Sequence, residues 1–241
     1  MRLDKALVAA GLAPTRSRAT QLVKAGVVLV DGAPVAKPGQ DIPPGAALTL
    51  TEDPIPWVSR AALKLLHALD TFALSPAGAR ALDLGASTGG FTEVLLARGA
   101  AQVTALDVGH GQLADHLRTD PRVTVIEGVN AREVTMAHIG TPDWIVSDLS
   151  FISLEKALPP SLALAGTGAR LVALVKPQFE VGPDRVGKGG IVKDPTVRIA
   201  ARDRIAAFLA RSGWPVTHLA ESPITGSDGN TEFLIAAQKS L

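Results

Sequence analysis

The chain has 241 residues, a formal net charge of +1, 46% hydrophobic residues and no cysteine. This composition excludes a disordered chain, a disulfide framework and a thiolate metal site. No apolar run approaches the roughly 18 residues that span a bilayer, and residues 1–12 lack the pattern of a signal peptide, so we expect a cytoplasmic protein without membrane contact.

The first fifty residues are the basic part of the chain, with six Lys/Arg and three Asp/Glu against 18 and 20 in the remainder. Apolar residues at helical spacing predict a first helix within residues 2–12, and Thr15 or Ser17 offers the N-cap of a second. "VVLVDGAPV" predicts two strands joined by an Asp-Gly turn, and "AALTL" predicts a third. Together these elements indicate a small α+β domain over residues 1–54.

Residues 55–58 carry a proline and no periodicity, which is typical of a linker. "SRAALKLLHALDTF" then predicts a helix with Ser59 as its N-cap, so a second domain spans residues 59–241. Lys64 lies beside the apolar face of this helix. Taken alone, such a lysine is most often a solvated surface residue.

"RALDLGASTGGFTEVLLARGAAQVTALDVG" predicts a strand, a glycine-rich turn, a helix closed by Gly99 and a strand ending at Asp107, which together make one βαβ unit. The turn is neither a P-loop nor a GxGxxG sequence, because its glycines are Gly85, Gly89 and Gly90. Glycine lets backbone approach a ligand, and an acid ending the second strand can bind ribose hydroxyls. The turn and Asp107 therefore indicate a site for a cofactor that contains a ribose. A dinucleotide site and a purely structural turn remain open.

Three later strands carry charged residues at their ends. "PDWIVSDLSF" ends a strand at Asp148, "RLVALVKPQFE" ends one at Lys176, and "NTEFLIAAQ" begins one at Glu232. The carboxyl ends of parallel strands meet at one edge of a sheet, and an antiparallel last strand starts there. We therefore expect these residues to converge, and the helix that carries Lys64 has room to lie above them. The alternative is an ion pair of purely structural importance.

"EVGPDRVGKGGIVKDP" leads from this edge to a helix that Asp194 caps and Pro195 begins. This connection is long for an α/β fold, and it predicts a mobile loop that orders when substrate binds. A surface loop without function is the alternative. The five histidines show no metal-ligand spacing, so we predict no metal site.

Residues 2–50, "RLDKALVAAGL…TRSRATQLVKAGVVLVDGAPVAKPG", resemble the S-four-type RNA-binding domain almost without gaps. The resemblance implies a surface that docks folded RNA through phosphate contacts, which position a protein without reading sequence. Each basic residue taken singly can equally be a solvated surface charge. The residues assigned to RNA binding are Arg2, Lys5, Arg16, Arg18, Lys24 and Lys37, with Arg185 and Lys188 in the second domain.

"DLGASTGGF" resembles the S-adenosylmethionine site of Rossmann-like methyltransferases, particularly the FtsJ-like RNA methyltransferases. The order Lys64–Asp148–Lys176–Glu232 resembles the catalytic Lys-Asp-Lys-Glu set of FtsJ-like ribose 2′-O-methyltransferases. "SRAALKL", "VSDLSFISL" and "LVKPQFEVG" extend the resemblance to the hemolysin A/TlyA family of rRNA methyltransferases over essentially the whole chain. The residues assigned to the cofactor are Asp83, Gly85, Ser87, Gly89, Gly90, Phe91, Asp107, Asn130 and Asp148.

The resemblance implies an α/β Rossmann-like methyltransferase domain, with a mostly parallel sheet and an antiparallel last strand, preceded by a small α+β RNA-binding domain. It also implies that S-adenosylmethionine methylates a ribose 2′-hydroxyl of ribosomal RNA, free or in a ribosomal subunit. We expect Lys176 to be the general base. Asp148 and Glu232 favour its charged form, whereas burial, Lys64 and the sulfonium favour the neutral amine.

Three other functions remain open at this point. The first is an RNA-binding protein with an inactive methyltransferase domain, against which the presence of all four charged residues argues. The second is a membrane-active hemolysin, which only the family name suggests and no basic amphipathic helix supports. The third is a base methyltransferase, whose sites usually use other residues. The sequence predicts no oligomeric state.

Overall fold

The computed structural model describes residues 1–13, 15–51 and 56–240. The chain divides into two compact units, Met1–Ser59 and Arg60–Leu241, and each has its own hydrophobic core. Residue 55 of the predicted linker lies outside the described residues. None of the helices in the described ranges combines the length and apolar character that a membrane span requires.

The N-terminal unit packs two short helices against a small antiparallel sheet with the strand order β2-β1-β3. Thr15 caps the second helix by accepting a hydrogen bond from the backbone N–H of Arg18 at 3.2 Å, which decides between the two predicted caps. The elements are α1 (Leu3–Ala9), α2 (Arg16–Lys24), β1 (Val28–Val30), β2 (Ala33–Pro34) and β3 (Leu48–Leu50).

A buried carboxylate holds two arginines in this unit. Asp4 is 2% exposed and accepts hydrogen bonds from Arg2 at 3.0 Å and from Arg16 at 2.8 Å. These bonds hold the pKa of the Asp4 carboxyl well below its usual range. Both guanidinium groups stay about half exposed, so they present charge to solvent in fixed positions. Arg18, which we expected at the surface, is buried because it lies on the core-facing side of α2.

We predict that Asp4→Asn destabilises the N-terminal unit at pH 7 and removes part of its pH dependence. A carboxyl with a depressed pKa in the fold stabilises the protein above its unfolded pKa of about 4, and this stability is lost as pH falls. Urea unfolding between pH 7 and pH 3, followed by hydrogen exchange of peptides from residues 1–50, measures the effect. Asp41→Asn, at an exposed carboxylate, is the control, and equal pH slopes for both variants would contradict the prediction.

The C-terminal unit is a seven-stranded sheet with helices on both faces. Its strand order is β6-β5-β4-β7-β8-β10-β9, in which β4 to β8 pair in parallel and β10 is antiparallel to both of its neighbours. This confirms the predicted fold class. The helices are α3 (Ala61–Thr71), α4 (Gly90–Ala97), α5 (Asp115–Arg118), α6 (Met136–Ile139), α7 (Leu154–Ala157), α8 (Pro159–Leu164), α9 (Pro177–Glu180) and α10 (Pro195–Arg211). The strands are β4 (Arg80–Leu84), β5 (Gln102–Asp107), β6 (Val123–Glu127), β7 (Trp144–Ser147), β8 (Arg170–Val175), β9 (Val216–Glu221) and β10 (Phe233–Gln238).

The strand order reverses between β4 and β7, and this reversal creates the crevice where ligands bind in open α/β sheets. The central strands are covered on both faces, so their sequences read as continuous apolar runs. In β8, every residue from Leu171 to Val175 is buried. Asp148 and Lys176, the charged residues that follow β7 and β8, therefore emerge from the core directly at the crevice edge.

One of the predicted helix caps is wrong and another is confirmed. Ser59 does not cap α3, because Arg60 already has helical backbone angles and is itself the N-cap position, without a side-chain cap. Asp194 does cap α10, accepting from the backbone N–H of Thr196 at 2.8 Å. The connection between Lys176 and α10 is interrupted by α9, which leaves residues 181–194 as the loop.

Candidate active site

Two lysine–carboxylate pairs lie where β7 and β8 end and β10 begins. Lys176 Nζ is 2.7 Å from Asp148 Oδ1, and Lys64 Nζ is 2.5 Å from Glu232 Oε2. None of the four side chains is more than 16% exposed. The structure thus brings the four predicted catalytic residues together from four separate elements.

The register of the last strand places the two pairs side by side. Phe233 lies opposite Val175 in the antiparallel β10–β8 pair, so one step further Glu232 lies opposite Lys176. Burial raises the pKa of Glu232, the positive charges of both lysines oppose this, and the negative charge of Asp148 adds to it. The four groups therefore form one electrostatic cluster.

Lys64 departs most from what its local sequence indicates. It lies on α3, where an isolated lysine is expected in solvent, yet it is 7% exposed. Glu232, which is 2% exposed, supplies the opposite charge that makes this burial possible, since a buried charge without a partner is strongly destabilising. The distant partner, and not the helical pattern, therefore decides the position of this amine.

The glycine-rich turn brings backbone close to the end of β7. Gly85 has a φ of +84°, and a Cβ there would lie 3.1 Å from the carbonyl oxygen of Asp148, so only glycine fits without strain. Asp107, at the end of β5, accepts hydrogen bonds from the backbone N–H groups of Ser87 at 2.8 Å and Gly109 at 2.7 Å. The turn and this carboxylate are therefore fixed relative to each other.

A cleft of about 810 Å³ opens along this edge of the sheet. Five of the residues assigned to the cofactor line it: Gly85, Ser87, Asp107, Asn130 and Asp148. Its volume lies in the range of small-molecule sites, and it lies at the reversal of strand order. Asp148 belongs to both features of this edge, because it lines the cleft and pairs with Lys176.

The other four residues assigned to the cofactor do not line the cleft. Phe91 is buried in the core at 3% exposure. Gly90 begins α4, and Gly89 precedes it with a φ of +103°. A Cβ on Gly89 would collide with the side chain of Leu117, so this glycine allows α5 to pack closely. Asp83 lies beneath the turn with no exposed surface.

Asp83 is a buried carboxyl with one free oxygen. Its Oδ2 accepts a hydrogen bond from the Thr92 hydroxyl at 2.7 Å, while Oδ1 has no hydrogen-bond partner among the described residues. Burial raises its pKa to about 7, the Thr92 bond opposes the rise, and the negative charges of Asp148 and Asp107 add to it. A cation in the cleft would relieve this excess of negative charge, so the donor set fits a positively charged cofactor such as a sulfonium.

We predict that Asp83→Asn makes the C-terminal unit relatively more stable as pH rises. A carboxyl whose pKa is raised in the fold to about 7 destabilises the fold progressively between about pH 4 and pH 7, by up to about 4 kcal/mol. Asparagine lacks this titration, so its stability relative to the unmodified protein should increase from pH 5 to pH 8. Urea unfolding monitored by the fluorescence of the buried Trp144 and Trp214 tests this.

The control for this experiment is Asp115→Asn, which removes an exposed carboxylate from the same unit. Its stability difference from the unmodified protein should stay constant over the same pH range. An Asp83→Asn difference that also stays constant would show that Asp83 is ionised in the fold at pH 5.

The cleft also contains residues that sequence reasoning did not assign. Phe151 is 91% exposed with a φ of +64°, and its ring lies 5.1 Å from that of Phe179. Arg132 and Lys156 also line the cleft. The position of "LSF" directly after Asp148 was the available signal, since residues that follow a strand at this edge of a sheet line the crevice.

The side chain of Asn230 holds the last part of the loop that carries Arg185 and Lys188. Asn230, which is 1% exposed, accepts a hydrogen bond from the Val192 N–H at 2.9 Å and donates to the Gly190 carbonyl at 2.8 Å. Both basic residues are exposed. In the N-terminal unit, Lys5, Lys24 and Lys37 are exposed as well. No group of three or more His, Cys, Asp or Glu in the described ranges has a metal-binding arrangement.

The parallel sheet with one antiparallel strand, the glycine turn and the adjacent cleft define the class: a Rossmann-like α/β methyltransferase with a separate N-terminal domain. Residues 57–239 match the model of the FtsJ-like methyltransferase family, and residues 1–48 match that of the S4 domain. The chain belongs to the FtsJ-like methyltransferase family and carries an S4 domain at its N-terminus.

Proteins named as rRNA methyltransferases and proteins named as hemolysins are both similar to this chain over nearly its whole length. It is 50% identical to the 16S/23S rRNA (cytidine-2′-O)-methyltransferase TlyA of Mycobacterium tuberculosis, over 97% of this chain and 88% of that protein. It is 39% identical to Hemolysin A of Brachyspira hyodysenteriae, over 97% of this chain and 98% of that protein. A solved structure described as "Putative hemolysin from Streptococcus thermophilus" matches with a TM-score of 0.80 and 40% identity, over 100% of this chain and 88% of that one.

Proposed function

We propose that this enzyme transfers a methyl group from S-adenosylmethionine to a ribose 2′-hydroxyl of ribosomal RNA. The observation that carries the proposal is the ion pair of Lys176 with Asp148, which lies at the cleft beside a second lysine–carboxylate pair. A ribose hydroxyl is a weak nucleophile until a base removes its proton. The name of the Mycobacterium tuberculosis relative, which specifies cytidine 2′-O-methylation of 16S and 23S rRNA, supports the same reaction, and an rRNA substrate implies a cytoplasmic enzyme.

Several cleft residues suit the cofactor. Asp107 would hold its ribose hydroxyls, and the backbone of Gly85 and Ser87 would approach its amino-acid part. Asn130 lies at the end of the cleft that β6 forms and would border the adenine. When bound, S-adenosylmethionine supplies an electrophilic methyl group on a positively charged sulfur.

Lys176 would act as the general base. As the hydroxyl oxygen bonds to the methyl carbon and the carbon–sulfur bond breaks, the hydroxyl proton passes to Nζ of Lys176. The base must be a neutral amine beforehand, and Asp148 alone would favour the ammonium. Burial and the neighbouring Lys64 favour the neutral amine, and Glu232 offsets Lys64 by pairing with it. Holding hydroxyl and methyl group together contributes a large further part of the rate.

We predict that Lys176→Ala and Lys176→Arg both abolish methyl transfer while S-adenosylmethionine still binds. Arginine keeps the positive charge beside Asp148 but stays protonated at all relevant pH values, so it isolates the loss of the base from the loss of the ion pair. Transfer of labelled methyl groups to rRNA measures activity, and isothermal titration measures cofactor affinity. An active Lys176→Arg variant would contradict the assignment.

An exposed aromatic ring at the cleft supports an RNA substrate. Phe151 projects its ring into solvent at the rim of the cleft, next to Phe179. Single-stranded or extruded bases stack on such aromatic faces. Phe151 would therefore offer a stacking surface to the target nucleotide close to Lys176, with Arg132 and Lys156 near its phosphates.

The N-terminal unit would bind the folded RNA through its exposed basic side chains. Lys5, Lys24 and Lys37 carry mobile ammonium groups, whereas Arg2 and Arg16 present guanidinium groups that Asp4 holds in place. Arg185 and Lys188 would add contacts from the loop of the catalytic unit, which we propose is mobile and orders on RNA. Phosphate contacts of this kind release counterions, so the affinity should depend steeply on salt.

We predict that the triple variant Lys5→Gln, Lys24→Gln, Lys37→Gln weakens rRNA binding and flattens its salt dependence. Each lost phosphate contact lowers the slope of log K against log salt by about 0.7 to 0.9, so three contacts amount to a slope change of about 2 to 3. Filter binding of an rRNA fragment at several salt concentrations measures this slope.

The matched control is the triple variant Arg98→Gln, Arg122→Gln, Arg211→Gln, which removes the same charge. These residues are exposed and lie at the opposite edge of the sheet, where α4 and α10 end and β6 begins. Equal slope changes in both triple variants would show that net charge, and not the surface of the S4 domain, governs binding.

A further inference from the structure

Ser150 lies between the cleft and the proposed base. Its hydroxyl oxygen is 2.8 Å from Lys176 Nζ, and Ser150 lines the cleft, whereas Lys176 is 8% exposed and is not among the lining residues. The proposed reaction assigns no task to this hydroxyl. Ser150 is itself exposed, so its contact with a buried amine is not a consequence of core packing.

The hydrogen bonds around the amine restrict its orientation. A lysine nitrogen is tetrahedral, and its fourth substituent is Cε. Ser150 Oγ, at 2.8 Å, occupies one of the remaining three positions. Asp148 Oδ1 lies 2.7 Å from Nζ as an ion-pair partner without hydrogen-bond geometry, and the Asp148 carbonyl oxygen, at 3.5 Å, is at the limit of hydrogen bonding. The serine hydroxyl is therefore the one short hydrogen-bond acceptor of this amine among the described residues, and it restricts the direction of the lone pair in the neutral amine.

We propose that Ser150 is a positioning residue for methyl transfer. Its hydroxyl oxygen accepts a hydrogen bond from Nζ of Lys176 and so orients the lone pair of that amine. This inference rests on the proposed role of Lys176 as the base. Without Ser150, the amine keeps only the long hydrogen bond to the Asp148 carbonyl oxygen among the described residues. It then rotates about its Cε–Nζ bond, and only a fraction of its orientations directs the lone pair at the substrate hydroxyl. General-base catalysis depends on this alignment, since a base acts only within hydrogen-bond reach of its proton.

The hydroxyl also affects the pH at which the base becomes available. The charged groups around Lys176 are Asp148 after β7, Glu232 before β10, Lys64 on α3, Asp83 on β4 and, beside Glu232, Asp228. Replacing Ser150 by alanine changes none of these charges. It removes an acceptor that stabilises the ammonium, and hydrogen bonding to a charged form favours that form. The acid limb of the pH–rate profile should therefore move to lower pH in the alanine variant.

The test compares Ser150→Ala with Ser150→Thr in single-turnover methyl transfer to rRNA at saturating S-adenosylmethionine, from pH 5.5 to pH 9. We expect Ser150→Ala to lose about tenfold in the plateau rate, within the range that general-base catalysis contributes, to keep both binding affinities and to shift its acid limb downward. Ser150→Thr keeps the hydroxyl, and the exposed position accommodates the methyl group, so it should recover the rate to within about twofold. Ser212→Ala, at an exposed position after α10, is the neutral control.

Two outcomes would overturn the proposal: a Ser150→Ala variant with an unchanged rate, or one whose slower rate threonine does not rescue and whose acid limb does not move. Lys176→Arg in the same assay separates this failure from that of the proposed function, because an active Lys176→Arg variant refutes the base itself. The ¹³Cε signal of Lys176 in the RNA-free protein gives a second measurement that needs no activity. Its titration midpoint should fall in Ser150→Ala and return in Ser150→Thr, and an identical midpoint in all three proteins would also refute the proposal.

Discussion

The active-site region depends on the mutual burial of two amines and two carboxylates. Lys64 and Glu232 form one pair, and Lys176 and Asp148 form the other. Neither lysine could stay in its buried position without a partner, because an unpaired buried charge costs several kcal/mol. Each pair joins parts of the chain that are far apart in sequence, so pairing fixes α3 against β10 and β7 against β8. The same interactions that position the proposed catalytic groups therefore also hold the edge of the sheet together.

The antiparallel strand makes this arrangement possible. Parallel strands contribute residues to the cleft through their carboxyl ends, as Asp148 and Lys176 show, and each is followed by a loop or helix. Strand β10 is antiparallel to β8, so its first residues lie at this same edge of the sheet. Glu232, which directly precedes β10, therefore lies opposite Lys176. A seventh parallel strand would have placed its first residue at the far edge. The geometry of the cluster thus follows from the direction of one strand.

The sequence predicts those features whose cause is local. Apolar runs followed by a charge identified Asp148 and Lys176 at the ends of buried strands, because a strand covered on both faces has no polar positions before it emerges. Lys64 was assigned only through the family resemblance, since its helix carries no sign of Glu232. The resemblance also assigned Gly89 and Phe91 to the cofactor, although helix packing and the core account for their positions. Phe151 was not assigned, although its place directly after Asp148, at the end of a central strand, was a signal that it lines the crevice.

The charge balance of the site connects cofactor binding to the chemistry we propose. The cluster contains two positive and two negative groups, and the buried Asp83, whose pKa is about 7, adds only part of a negative charge at neutral pH. A sulfonium entering the cleft therefore brings a positive charge that no group in the cluster already neutralises. In the reaction we propose, this charge would oppose the ammonium form of Lys176 and favour ionisation of Asp83. Binding of the methyl donor would then help to make the base available for the ribose hydroxyl.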